Sequence, residues 1–184
     1  MTLTIDLFPH LDAGDKTKWP GDQNQRPLTE LGRRQAQALA GALATEPVDA
    51  LYSSPALRCR QSIEPLAERF ALAITVLTGL GEFEAWSTPE GWEGWGSGPD
   101  GPFVGAFAAG TALAALEQIR SGHPAGRVIA CSHGHIIPAF VAFLSAAHGL
   151  ASGPLQHRGQ WYRLRFEGEQ VSIELQEATA DFPR

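Results

Sequence analysis

A three-layer α/β sandwich, with a mostly parallel central sheet between two layers of helices, is the fold this sequence predicts, as one domain over residues 1–184. Three observations lead there. Short apolar runs alternate with longer stretches of helical periodicity, the pattern of strand–helix–strand units. Two of those runs, Leu3-Thr4-Ile5-Asp6-Leu7-Phe8 and Arg127-Val128-Ile129-Ala130-Cys131-Ser132, lead directly into histidines, His10 and His133. Finally, 184 residues with 43% apolar and 18% charged side chains describe a globular chain able to bury a substantial core.

The elements follow in order. After the first strand, Asp12 to Pro27 is a polar loop rich in Gly, Asp and Lys. Thr29 has the chemistry of an N-cap, and from Glu30 to Leu43 apolar and alanine positions recur at helical spacing until Glu46-Pro47 ends the run. Val48-Asp49-Ala50-Leu51-Tyr52-Ser53 reads as the second strand. The next helix is expected to carry Pro55 at its first position and to continue through Phe70. Pro65 should kink or interrupt it, because proline lacks the N–H that the turn requires. Ile74-Thr75-Val76-Leu77 is a short third strand, and residues 79–102, dense in Gly, Trp, Glu and Pro, are expected to be irregular. An alanine-rich helix from Phe103 to Arg120 precedes the fourth strand, and a largely apolar helix from Ile136 to His148 follows it. Gln160 to Phe166 and Gln170 to Leu175 close the fold as paired strands around Glu167-Gly168-Glu169.

A formal net charge of −6 argues against nonspecific binding to nucleic acid or anionic membranes, which depends on basic surface, but leaves room for a local anion site. No apolar run approaches the ~20 residues of a membrane span. The N-terminus lacks the basic and apolar regions of a signal peptide, so a cytoplasmic protein is expected. Cys59 and Cys131 are too few for a disulfide framework, and Cys131, inside an apolar strand, reads as a small buried hydrophobe. His133-Gly134-His135 with Asp12 and Asp15 does not complete a recognisable metal-ligand spacing, and His135 is expected to start a helix and point away, so no metal is predicted.

Ligands of open α/β sheets bind in the crevice at the carboxyl ends of the strands. His10 and His133 reach that edge from distant strands, and Ser53-Ser54-Pro55-Ala56-Leu57-Arg58 adds a third strand end followed by an arginine at a helix start. Two imidazoles and a guanidinium suit the capture of a phosphoryl group and attack upon it. Singly, each has a plainer reading: His10 as a capping or solvent-facing histidine, Arg58 as a surface arginine like Arg60 or Arg69. Taken in order, His10, Arg26-Pro27-Leu28-Thr29 with Gly32 and Gln35-Ala36, Ser53 to Arg58, Leu80-Gly81-Glu82 and Ser132-His133-Gly134 resemble the histidine phosphatase superfamily. This is the phosphoglycerate mutase-like fold, and the match is to its short, phosphohistidine-phosphatase-like branch.

That resemblance implies a cofactor-independent hydrolase acting on a small phosphorylated molecule or on phosphohistidine, with His10 as nucleophile. Arg58 would clamp the phosphoryl oxygens, His133 would donate to them, and Glu82 would be the general acid. The acid needs a raised pKa, which Phe83 and Trp86 could supply by desolvation; Glu84 competes for the role, and Glu90 and Glu93 share the loop. Arg26 either reaches the pocket or caps the following helix. Trp86, Trp92 and Trp95 form either a packed lid or a stacking wall for the substrate. A mutase fits less well, because mutases of this family are usually longer. One position departs from the family: its arginine before the first histidine is Pro9 here. Where such guanidiniums stabilise a transferred phosphoryl group they are worth roughly 10³–10⁵ in rate. Three outcomes stay open: Arg26, Lys16 or Lys18 substitutes for it, turnover is slow, or the site only binds phosphorylated ligands.

Overall fold

The computed structural model describes residues 1–82, 90–91, 101–151, 153–179 and 181–183. Its strands are β1 Thr2–Pro9, β2 Ala50–Ser53, β3 Ile74–Val76, β4 Gly126–Ser132, β5 Gln160–Glu167 and β6 Gln170–Glu177. They form one six-stranded sheet in the order β3-β2-β4-β1-β5-β6. The first four in that order run parallel, whereas β5 joins β1, and β6 joins β5, in antiparallel pairing. Gly168, at φ 62°, supplies the left-handed residue of the β5–β6 turn.

Alternation along β1 sets the two layers. Leu3, Ile5 and Leu7 point to a core shared with α3 (Pro102–Gly122) and α4 (Ile136–Ala147). Phe8 points the other way, toward α1 (Glu30–Leu43) and α2 (Leu57–Phe70). Thr29 caps α1 as expected, its hydroxyl accepting from the Gly32 N–H. The start of α2 is a correction: the helix begins at Leu57 with Ala56 as N-cap, so Pro55 lies outside it. The Ser54 hydroxyl accepts the Ala56 N–H at 3.2 Å, occupying the turn that Pro55 was expected to open. Nor does Pro65 interrupt α2, which is continuous to Phe70. α3 also departs from expectation. It has 21 residues and a window of mean hydropathy 1.3, long and apolar enough to cross a membrane by length and composition. Its Ala108, Ala112, Ala115, Leu116 and Ile119 instead pack into the core of the sheet and α4.

Register is what positions the site. β1 pairs Pro9 with Ser132 of β4, and β4 pairs Cys131 with Ser53 of β2. The pairing continues one residue past the strands: the His10 N–H reaches Ser132 O at 2.8 Å and the Ser54 N–H reaches Cys131 O at 3.0 Å. His10, His133 and Ser54 therefore leave three adjacent strands at one edge. Within the sheet, Asp6 of β1 is fully buried against Arg127 of β4 (Nε 2.8 Å) and Arg163 of β5 (Nε 2.7 Å).

Candidate active site

His10 and His133 meet edge to face, with ring centroids 5.4 Å apart. His10 Nδ1 lies 2.8 Å from Leu11 O. A carbonyl only accepts, so Nδ1 carries the proton and Nε2 the lone pair. Burial, with the charges of His133 and Arg58 adding to it, lowers the His10 pKa from 6.5 to about 4, so the ring is neutral. α2 holds this segment in place: the Leu11 N–H donates to Ser62 Oγ at 3.0 Å, and that hydroxyl donates to Arg58 O at 2.7 Å.

Arg58, in the first turn of α2, is fully buried rather than on the surface. Its Nη1 donates to Gln23 O and its Nη2 lies 2.9 Å from Glu82 Oε1, while its buried Nε has no hydrogen-bond partner among the described residues. The same Glu82 oxygen is 3.1 Å from His133 Nδ1, and His133 Nε2 is 2.8 Å from Ser54 Oγ. Burial disfavours charge on His133, but Cys59 and the Glu82 carboxylate beside it prevail and raise its pKa to about 9. Both ring nitrogens then donate. Glu82 is half-buried; desolvation alone would raise its pKa, yet His133 and Arg58 hold it well below the usual carboxylate range. The raised pKa expected at Glu82 is therefore not what its surroundings produce: the side chain is an ionised partner of two cations.

One atom each of His10, Glu82 and His133 lie within 4.8 Å of one another, close enough to ligate a metal. The surroundings favour an anion instead, because Arg58 and the imidazolium of His133 already converge on the same carboxylate oxygen. His135 corrects another expectation. It precedes α4 as its N-cap and turns toward the site, with Nε2 3.8 Å from Glu82 Oε1.

Arg26 is buried, and the cap of the following helix is Thr29, not Arg26. Its Nη1 donates to Ala13 O and Gly14 O, and its Nε to Gln23 Oε1, bracing the first loop. Lys18 is exposed and pairs with Asp15. Glu84, Glu93, Phe83, Trp86, Trp92 and Trp95 lie outside the described residues, and Glu90 is exposed. Sequence reasoning missed Ser54, Gln23, Ser62 and Cys59 as partners of the site. Ser54 had a signal, since it lies within the same stretch as Arg58; Gln23 contacts Arg58 through its backbone carbonyl, which no side-chain pattern reveals. Cys131 is fully buried in the apolar core, as expected.

A family model of the histidine phosphatase superfamily (branch 1) matches residues 13–179, a span that begins just after His10 and includes Arg58, Glu82 and His133. The chain belongs to that superfamily. It is 29% identical over 140 residues to an 8-oxo-(d)GTP phosphatase of Mycolicibacterium smegmatis, a match covering 76% of this chain and 37% of that longer protein. Among solved structures it resembles Bacillus stearothermophilus YhfR, with a TM-score of 0.73 at 17% identity over 97% of this chain and 98% of the other. It also resembles the protein histidine phosphatase SixA complexed with tungstate, with a TM-score of 0.65 at 18% identity over 97% of each chain. At these identities the two structures speak for the fold alone.

Proposed function

We propose that this protein is a phosphatase that hydrolyses a small phosphorylated molecule through a phosphohistidine on His10. The observation that carries the reading is the tautomer of His10: with Nδ1–H donated to Leu11 O and a pKa of about 4, Nε2 is an available nucleophile at neutral pH. Arg58 and His133 would hold the nonbridging oxygens, with the unpartnered Nε of Arg58 as a further donor. The phosphoryl dianion thereby competes with Glu82 for both cations. Displaced from them and facing an anion, Glu82 gains a proton from solution. The Nε2 lone pair then forms the N–P bond as the P–O bond breaks, and the leaving oxygen takes the Glu82 proton. Water next attacks phosphorus, Glu82 accepts its proton, the N–P bond breaks and phosphate leaves.

The curated relative's name, an 8-oxo-(d)GTP phosphatase, favours a phosphorylated small molecule over a phosphoprotein. A second reading, a phospho-ligand-binding protein without turnover, draws on Pro9, which brings neither charge nor an N–H to the site. Turnover of an aryl phosphate by the parent protein and by His10→Ala separates the two. The expected result is measurable turnover that His10→Ala abolishes, with an acid-labile phosphoryl adduct trapped on the parent alone. Phosphate binding with no His10-dependent turnover would replace the hydrolase with the binding protein.

A further inference from the structure

Arg58 and His133 both come to the site from the β2–β4 side of His10. A phosphoryl group on Nε2 carries charge on three nonbridging oxygens, so cations on one flank leave the other flank uncompensated. Pro9, at the end of β1 beside His10, brings no donor to make up the difference. Beside it opens a cleft of about 620 Å³ lined by Pro9, His10, Gly134, His157, Arg158 and Glu177 among others. Arg158 is the only lysine or arginine in that lining among the described residues.

Its guanidinium is held in place. Arg158 Nη1 lies 2.9 Å from Asp12 Oδ1. Asp12 is fixed in turn, its other carboxylate oxygen accepting from the Thr29 hydroxyl and its N–H donating to Gln35 Oε1 at 3.0 Å. A tethered guanidinium gives up less entropy on binding an anion, and its five N–H donors exceed what one carboxylate can accept. The side chain is 46% exposed, so a ligand can reach it. Arg158 also shares the electrostatic surroundings of the site: burial first, then the charges of Arg58, Glu82 and Arg158, act on Arg26. Of the other first-loop cations, Arg26 binds the Ala13 and Gly14 carbonyls and Lys18 pairs with Asp15, whereas the charge of Lys16 acts on His135, away from the cleft lining that holds Arg158.

We propose that Arg158, from the loop before β5, is a phosphoryl-binding residue that closes on the anion at His10 from the flank opposite Arg58. The inference rests on the phosphoryl site described above, though not on turnover. A planar fork can engage two phosphoryl oxygens at once, which a lysine cannot reproduce.

The test titrates inorganic phosphate by calorimetry into the parent, Arg158→Ala and Arg158→Lys, and measures aryl phosphate turnover in each. Arg158→Ala is expected to weaken phosphate binding by about tenfold or more, and to lower kcat/KM by roughly 10–100-fold, with Arg158→Lys between. Pro9→Arg should recover much of the loss in the Arg158→Ala background and add less to the parent, because the two guanidiniums would serve one flank. An unshifted melting temperature guards against unfolding, which truncation of a half-exposed side chain should not cause. Phosphate affinity and kcat/KM both within about twofold of the parent in Arg158→Ala overturn the proposal. Arg158-dependent phosphate binding without His10-dependent turnover would leave it standing and remove the hydrolase reading. His10-dependent turnover indifferent to Arg158 would do the reverse, and a parent that binds no phosphate would remove both.

Discussion

Two carboxylates in this molecule each lie between two cationic side chains, Asp6 inside the sheet and Glu82 at its edge. Asp6 is fully buried, and its oxygens are reached by Arg127 Nε at 2.8 Å and by Arg163 Nε and Nη2 at 2.7 and 3.0 Å. All three residues sit on the adjacent strands β4, β1 and β5, whose ladders fix their spacing. Glu82 makes equally short contacts, 2.9 Å to Arg58 and 3.1 Å to His133. It is carried, however, by the chain after a short 3-10 turn at Thr78–Leu80, outside any strand, and its side chain remains 23% exposed. The contact chemistry is nearly the same, and the mounting differs. A carboxylate clamped by the sheet can only neutralise its arginines, whereas one mounted on a loop at the sheet edge can give its cations up to a competing anion.

The sharpest way to break this contrast is to remove each carboxylate and compare stability. Asp6→Ala leaves the buried Arg127 guanidinium without a carboxylate and Arg163 with Glu46 alone, and should cost about 3–5 kcal/mol, read as a lower denaturation midpoint in urea. Glu82→Gln should cost clearly less, because Arg58 keeps Gln23 O, His133 keeps Ser54 Oγ, and the Gln amide can still accept from both. Equal losses would mean that Glu82 is as structural as Asp6.

Activity should invert that order. Glu82→Gln is expected to lower turnover of substrates with poor leaving groups by about 10²–10⁴, and of activated aryl phosphates far less, since these need little protonation. Its affinity for inorganic phosphate should hold or improve, because no carboxylate then competes for Arg58 and His133. Weaker phosphate binding in Glu82→Gln, or equal losses on both substrate types, would show that Glu82 is not the exchangeable partner.

The smallest effects are in pH. His10 stays neutral in the folded protein down to about 4, while in the unfolded chain it protonates near 6.5. The unfolded state therefore binds more protons in that interval, and stability should fall as pH drops from about 6.5 toward 4. His133 behaves oppositely. Its folded pKa of about 9 stabilises fully below 6.5, and the contribution fades as pH rises through 9. Histidine ring titrations by NMR should place the two resonances on either side of 6.5, and Glu82→Gln should bring the His133 value down while leaving His10 low. Two rings titrating together near 6.5 would contradict the paired arrangement.

Much of this was legible in the residues. The α/β class and all of the long elements follow from periodicity, because whether a segment buries one stripe or both faces is a local property of its own side chains. His10, Arg58 and His133 could be placed at one edge because each follows a strand end, and parallel strands share their carboxyl edge. Glu82 came only with the family resemblance. The start of α2 was misjudged at Pro55 because the Ser54 hydroxyl, which also serves His133, occupies that turn. Asp6 sits within an otherwise largely apolar run, and only register sets Arg127 and Arg163 beside it. Nothing local marked Arg158 as lining the same cleft as His10, or turned His135 toward Glu82. The reversed pKa of Glu82 had the same origin. Local pattern determines what each segment becomes, but the charge a side chain carries depends on cations that lie tens of residues away in the chain and within about 3 Å in the fold, and only the tertiary structure brings them that close.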